Sequence, residues 1–161
     1  MLRDARLIGI DPGPKASGVV LYDGQTREVL EAHKAMDLDD LRQFVRMNPA
    51  AVVCERTQAG PPSTQVVLTT EVVGRVQELC HWMQRPLYLY YRRDVLQALN
   101  CAKQGNKDSL VRQACIELHG GDPKVARGTK KAPGRLYGVS SHAWQALGLV
   151  MAHRLTMQHK G

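Results

Sequence analysis

No stretch of this 161-residue chain approaches the ~18 consecutive apolar residues of a membrane span. The four cysteines, at 54, 80, 101 and 115, form no Cys-x-x-Cys pair and no Cys-x-x-Cys/His-x-x-x-His spacing. That excludes a zinc-finger or zinc-ribbon framework and offers no disulfide scaffold, so reduced thiols are expected. Aromatic residues are scarce, at 5%, and Phe44 is the only phenylalanine, which leaves few platforms on which a base could stack. "MLRDAR" leads directly into an apolar strand with no targeting pattern, so the sequence predicts a soluble, cytoplasmic protein without a membrane partner.

Acids are scarce in one third of the chain. Residues 85–135 hold eleven Lys/Arg against four acids, whereas the remainder balances at eleven of each, so the whole net charge of +7 lies in that segment. A surplus confined in this way is the footprint of a surface that meets a polyanion, although a solvated basic face kept for solubility has the same composition. The candidate nucleic-acid contacts are Lys15, Arg92, Arg93, Lys103, Lys107, Arg112, Lys124, Arg127, Lys130, Lys131 and Arg135.

What is present is an ordered series of short elements. "RLIGID" (6–11), "SGVVLYD" (17–23) and "TREVLEAHKA" (26–35) read as an antiparallel meander joined by Pro/Gly and Asp-Gly turns. "DLDDLRQFVRM" (37–47) reads as a helix with acids in its first turn, and "PAAVVCE" (49–55) as a strand buried on both faces. After the "GPPS" break comes a long helix, "STQVVLTTEVVGRVQELCHWM", despite its β-branched residues. A strand over 86–91, a short helix over 92–99 and a helix capped by Asn106 or Asp108 and closed by Gly120 follow. Residues 121–138 lack periodicity and predict a basic flexible loop; a last helix is expected to begin at Ser141 as N-cap. Three antiparallel strands followed by strand–helix units predict one α/β domain over 1–161, with a mixed five-stranded sheet flanked by helices in the ribonuclease-H-like order.

Asp11 ends the first strand and Glu55 the fourth. Acids at the ends of neighbouring strands converge, and converging carboxylates repel unless a cation or proton lies between them. "DPG" is also a good turn sequence, and a strand-terminal Glu is also an ordinary solvated residue. "SSHAWQALGL" places His142 and Gln145 three apart on one helix face, behind which Ala146, Leu147, Val150 and Met151 are expected to pack on the sheet. His142 at the same point would complete a mixed oxygen and nitrogen site suited to Mg²⁺ or Mn²⁺; a histidine hydrogen-bonded to the helix backbone fits the sequence too. Two such ions ~4 Å apart serve phosphodiester hydrolysis elsewhere.

The ordered set resembles the RuvC family of Holliday junction resolvases. "LIGIDPGPKASGVVLYD" is similar to the family's opening strand pair, and "AVVCE" to the strand that ends in the second catalytic acid. "PLYLYYRRDVLQALNCAKQGNKDSLVRQA" resembles the family's strand–helix–loop–helix segment, and "HAWQALGLVMAH" its terminal helix. The resemblance implies that Asp11, Glu55 and His142 are metal ligands for Mg²⁺ or Mn²⁺, expected as two ions, and that Lys107 lies near the scissile phosphate. A solvated charge ahead of a helix accounts for Lys107 equally well. The resemblance further implies branched DNA as partner and a homodimer for paired incisions, in a bacterial cytosol or a phage-infected cell.

Two departures stand out. Gln145 stands where many relatives carry a ligating Asp, and Gln58 where the best-known cellular members carry an aromatic residue that stacks at the junction centre. The length of the basic segment 121–138 resembles phage-encoded members and offers phosphate contacts to a DNA arm. Besides junction cleavage, the sequence leaves open an RNA or RNA:DNA-hybrid nuclease of the same fold, or a non-catalytic junction-binding protein.

Overall fold

Period-two alternation along the central strands decides what packs where. In β1 (Arg6–Asp11), Leu7 joins one core and Ile8 and Ile10 the other; in β4 (Ala51–Arg56), Ala51 and Val53 join the first, Val52 and Cys54 the second. Strands apolar on both faces need a helical layer on each side. The computed structural model describes residues 5–161 apart from positions 59 and 62. The first four residues of "MLRDAR" and Pro62 of the "GPPS" break therefore lie outside the described residues.

The other elements are β2 (Ser17–Asp23), β3 (Glu28–Met36), α1 (Leu38–Met47), α2 (Thr64–Trp82), β5 (Leu87–Tyr91), α3 (Arg92–Ala98), α4 (Lys107–Glu117), α5 (Pro123–Arg127) and α6 (Ala143–Lys160). The sheet order is β3-β2-β1-β4-β5, with β1, β2 and β3 antiparallel in turn and β4 and β5 parallel to the central β1. This is the mixed five-stranded α/β architecture that the element order predicts.

Local chemistry explains the element starts. Asp37 caps α1 by accepting from Asp40 N at 2.8 Å, Ser63 caps α2 through Val66 N at 3.2 Å, and Asn106 caps α4 through Ser109 N at 3.0 Å. Asp23 closes the β2–β3 turn by accepting from the backbone N–H groups of Gln25 and Thr26. Helices α1 and α2 cover the face of Ile8, Ile10, Val52 and Cys54, while α3, α4 and α6 cover the opposite face.

Helix α6 is buried without interruption from Ala143 to His153, as a helix that is apolar all round must be. It approaches β1 closely because Gly9 lies beneath it: a Cβ there would fall 2.3 Å from the Ala146 carbonyl oxygen. Among the described residues no helix is long and apolar enough to cross a membrane. All four cysteines are free and buried, and burial raises the Cys80 thiol to about 11.

Two sequence expectations need correction. Ser141 does not cap α6: it adopts φ 48°, and the N-cap is His142, which makes no side-chain cap hydrogen bond. The carbonyls of Ser140 and Ser141 instead accept from Ala143 and Trp144, forming a tight turn that leaves the imidazole outside the helix. Residues 121–138, expected as a loop without regular elements, contain the short helix α5 and core residues. Asp122 caps α5 through Lys124 N and Val125 N, Gly128 pairs with Pro133, and Ala126 and Leu136 are buried in the α6-side core. Spacing along that segment hides the order because its two core residues, Ala126 and Leu136, are separated by turns rather than by a helical or strand period.

Candidate carboxylate site

β1 and β4 run parallel with Ile10 opposite Cys54, so the next residues, Asp11 and Glu55, leave the sheet side by side at its C-terminal edge. Asp11 follows Leu7 and Gly9 on the α6 face; Glu55 follows Ala51 and Val53 on the same face. Asp11 pairs with Gly18 of β2, and the backbone of His142 rests over that glycine: a Cβ on Gly18 would lie 2.4 Å from the His142 carbonyl oxygen. The start of α6 is thereby placed beside Asp11, with His142 Nδ1 3.4 Å from Asp11 Oδ2. The imidazole itself is 71% exposed, while the two carboxylate side chains are only 18% and 22% exposed.

Burial dominates the electrostatics. It raises Glu55 to about 7, with the negative charge of Asp11 adding and Arg92 opposing. Asp11 is also raised, by burial first, against the lowering effects of His142 and Arg92. Glu55 Oε2 is buried and accepts no hydrogen bond, an orphaned anionic oxygen that a bound cation would satisfy. Because the folded state holds the Glu55 proton more tightly than the unfolded chain does, the associated stability is fully present below ~4.5 and is lost as pH rises through about 7. In chelator, the melting temperature is therefore expected to fall between pH 5 and pH 8, and Glu55→Gln to flatten that slope. A slope unchanged in Glu55→Gln, measured by calorimetry, would remove Glu55 as its source.

Arg92, the first residue of α3, occupies the inner side of the site. Its Nη1 donates to Gln145 Oε1 at 2.6 Å, its Nη2 donates to Asp108 Oδ1 at 2.8 Å, and Nη1 lies 3.8 Å from Glu55 Oε2. Arg92, one of the expected DNA contacts, is thus held within the carboxylate cluster. Gln145 is buried and faces this cluster through the guanidinium, one turn beyond His142. Asp108 is a member of the site that sequence reasoning missed. The available sign was the choice between Asn106 and Asp108 as cap: Asn106 takes the cap, which frees the Asp108 carboxylate for Arg92.

The expected trio of Asp11, Glu55 and His142 is only partly assembled. Among the described residues no three His, Cys, Asp or Glu side chains converge into a ready cation cage. Asp11 and Glu55 form a preorganised pair with His142 on the outer side of Asp11. The orphaned Glu55 oxygen and the hard oxygen donors fit a divalent ion such as Mg²⁺ or Mn²⁺.

The basic residues divide into groups. At the site end, Arg93 and Arg56 lie over the Tyr91 ring at 5.4 and 5.0 Å, and Arg112 lies over Trp144 at 5.3 Å. Arg56 was not among the expected contacts. Lys107 opens α4, with its Nζ donating to the carbonyl oxygen of exposed Lys103, and exposed Lys15 sits in the β1–β2 turn. Lys124, Arg127, Lys130 and Lys131 are exposed on and after α5. Arg135 is elsewhere: its carbonyl accepts from Val29 N near the β2–β3 turn, the end of the sheet opposite Asp11.

No family model matches the chain, and no curated protein matches it in sequence. Among solved structures, T. thermophilus RuvC in complex with Holliday junction substrate is similar with a TM-score of 0.66 at 18% identity, covering 96% of this chain and 95% of that one. A second Thermus thermophilus RuvC structure gives 0.65 at 19% identity and covers 96% of each chain. The fold is RuvC-like.

Proposed function

We propose that this RuvC-like chain is a metal-dependent, structure-selective endonuclease that resolves four-way or branched DNA by symmetric phosphodiester hydrolysis. The observation that carries the reading is the half-buried pair Asp11 and Glu55, side by side at the ends of parallel strands with one buried carboxylate oxygen unsatisfied. The junction-bound neighbour supports the substrate class, and the confined positive charge supports a phosphate partner. Asp11 and Glu55 would hold Mg²⁺ or Mn²⁺, with His142 beside Asp11 as the third donor. Such an ion, when bound, supplies Lewis acidity toward the phosphate and lowers the pKa of water.

The chain's own residues do the rest. Arg112, Arg93 and Arg56 present cations at the site end of the sheet, where a DNA backbone would pass, with Lys103 on the α3–α4 connection and Lys107 at the start of α4. Paired incisions across a two-fold junction require two sites related by a two-fold axis, so the reading entails a homodimer.

The deciding experiment is cleavage of a labelled four-way junction with Mg²⁺ and then Mn²⁺, against duplex and RNA:DNA-hybrid competitors at matched salt. Paired symmetric nicks confined to the junction are expected. Preference for the hybrid would transfer the site to RNA processing. Binding that survives chelation, with no cleavage in either metal, would establish a binding-only protein; the neutral Gln145 among the site residues favours this second reading.

A separate expectation concerns the exposed cations after α5. Replacing Lys130 and Lys131 by Ala should make the salt dependence of junction binding shallower, by about 0.9 in the log–log slope for each phosphate no longer neutralised. An unchanged slope across a salt titration would remove this segment from the DNA path.

A further inference from the structure

We propose that Arg92 is a built-in counter-ion that takes the place of a second metal ion, so that the site loads a single divalent cation. This rests on the endonuclease reading and goes beyond it in fixing how the site's charge is balanced. The guanidinium is not a surface group that drifts inward. It is anchored at two points, Gln145 Oε1 at 2.6 Å and Asp108 Oδ1 at 2.8 Å, and stands 3.8 Å from the orphaned Glu55 oxygen. A permanently charged group held by two separate partners is a stationary cation.

The charge balance supports one ion. When ionised, Asp11, Glu55 and Asp108 carry three negative charges and Arg92 one positive, so a single divalent cation neutralises the cluster. The amide at position 145 belongs to the same arrangement. It accepts from Arg92 without adding charge, whereas a carboxylate there would call for a further cation.

Calorimetric titration with Mn²⁺ in the absence of DNA tests this, comparing the wild type, Arg92→Met and the double variant Arg92→Met/Gln145→Asp, with Mn²⁺-induced melting shifts as a second readout. The wild type is expected to bind one ion. Arg92→Met should bind it roughly tenfold more tightly or better, because a cation about 4 Å from a carboxylate is worth one or more pKa units. The double variant should bind two ions. If Arg92→Met, and with it the double variant, does not fold, the wild-type titration alone still decides, since one bound ion is expected and two overturn the inference.

Two ions in the wild type would overturn the inference and leave the nuclease reading standing. One ion in both wild type and double variant, with unchanged affinity in Arg92→Met, would do the same. No ion in the wild type but binding in the double variant would overturn both the single-ion site and the metal dependence of the native chain. No binding in any of them would overturn both.

Discussion

Asp11→Asn is expected to bind four-way junctions at least as tightly as the wild type and to cut none of them. The amide matches the carboxylate in shape, so the strand end, the Gly18 pairing and the seat of α6 are kept. What changes is charge. The charge of Asp11 raises the proton affinity of the neighbouring Glu55, so its loss lets Glu55 ionise more readily while leaving it without a second anionic donor for a cation. Loss of an outer-shell partner costs roughly 10–100-fold in metal affinity or activity, and removing a direct donor should cost more than the upper end of that range. Every cation that faces the DNA is kept, and a less negative site repels phosphates less. Single-turnover cleavage and anisotropy binding, run at one salt concentration, separate the two effects. Turnover within tenfold of the wild type would sink the assignment of Asp11, and with it the carboxylate pair as the catalytic centre.

Much of this was legible in the chain itself. Strand alternation in "RLIGID" and "AVVCE" forecasts both that two helical layers are needed and that Asp11 and Glu55 emerge on one face, because the period of two is local and the strands are adjacent. Asp37, Ser63 and Asn106 announce their helices by side-chain chemistry within three residues. The inner half of the site was not legible. Arg92, Asp108 and Gln145 come from three elements, and each alone has an ordinary reading: a basic residue after a strand, a first-turn acid and a polar residue in an apolar helix. Only the packing of α3, α4 and α6 against one another turns them into a hydrogen-bonded set. The order in 121–138 was hidden for the same reason, since Ala126 and Leu136 are buried by packing on the core rather than by any period of their own.

Gly9→Ala should cost the fold and the site together. The added methyl would lie 2.3 Å from the Ala146 carbonyl oxygen, 3.0 Å from its carbon and 2.8 Å from Val150 Cγ2. The valine can turn aside; the helix backbone cannot, so α6 must move off the sheet. With Ala143 to His153 all buried, that movement opens gaps along the whole inner layer. Overpacking of this kind costs about 1–3 kcal/mol, and at about 2–4 °C per kcal/mol for a domain near this size, a fall of several degrees in Tm is expected. Catalysis should suffer more than stability. The same helix carries His142 and Gln145, and a misplacement of about 1 Å in a reacting constellation can cost on the order of 100-fold. Gly74→Ala supplies the contrast. That glycine lies in α2 with nothing within 4 Å of its would-be Cβ, so the substitution should add about 0.5–1 kcal/mol and leave cleavage unchanged. Combining Gly9→Ala with Val150→Ala should not restore either property, because the nearest obstruction is the Ala146 carbonyl. If it does restore both, the helix is held off β1 by side chains, and the close backbone approach that seats His142 beside Asp11 is not what builds the site.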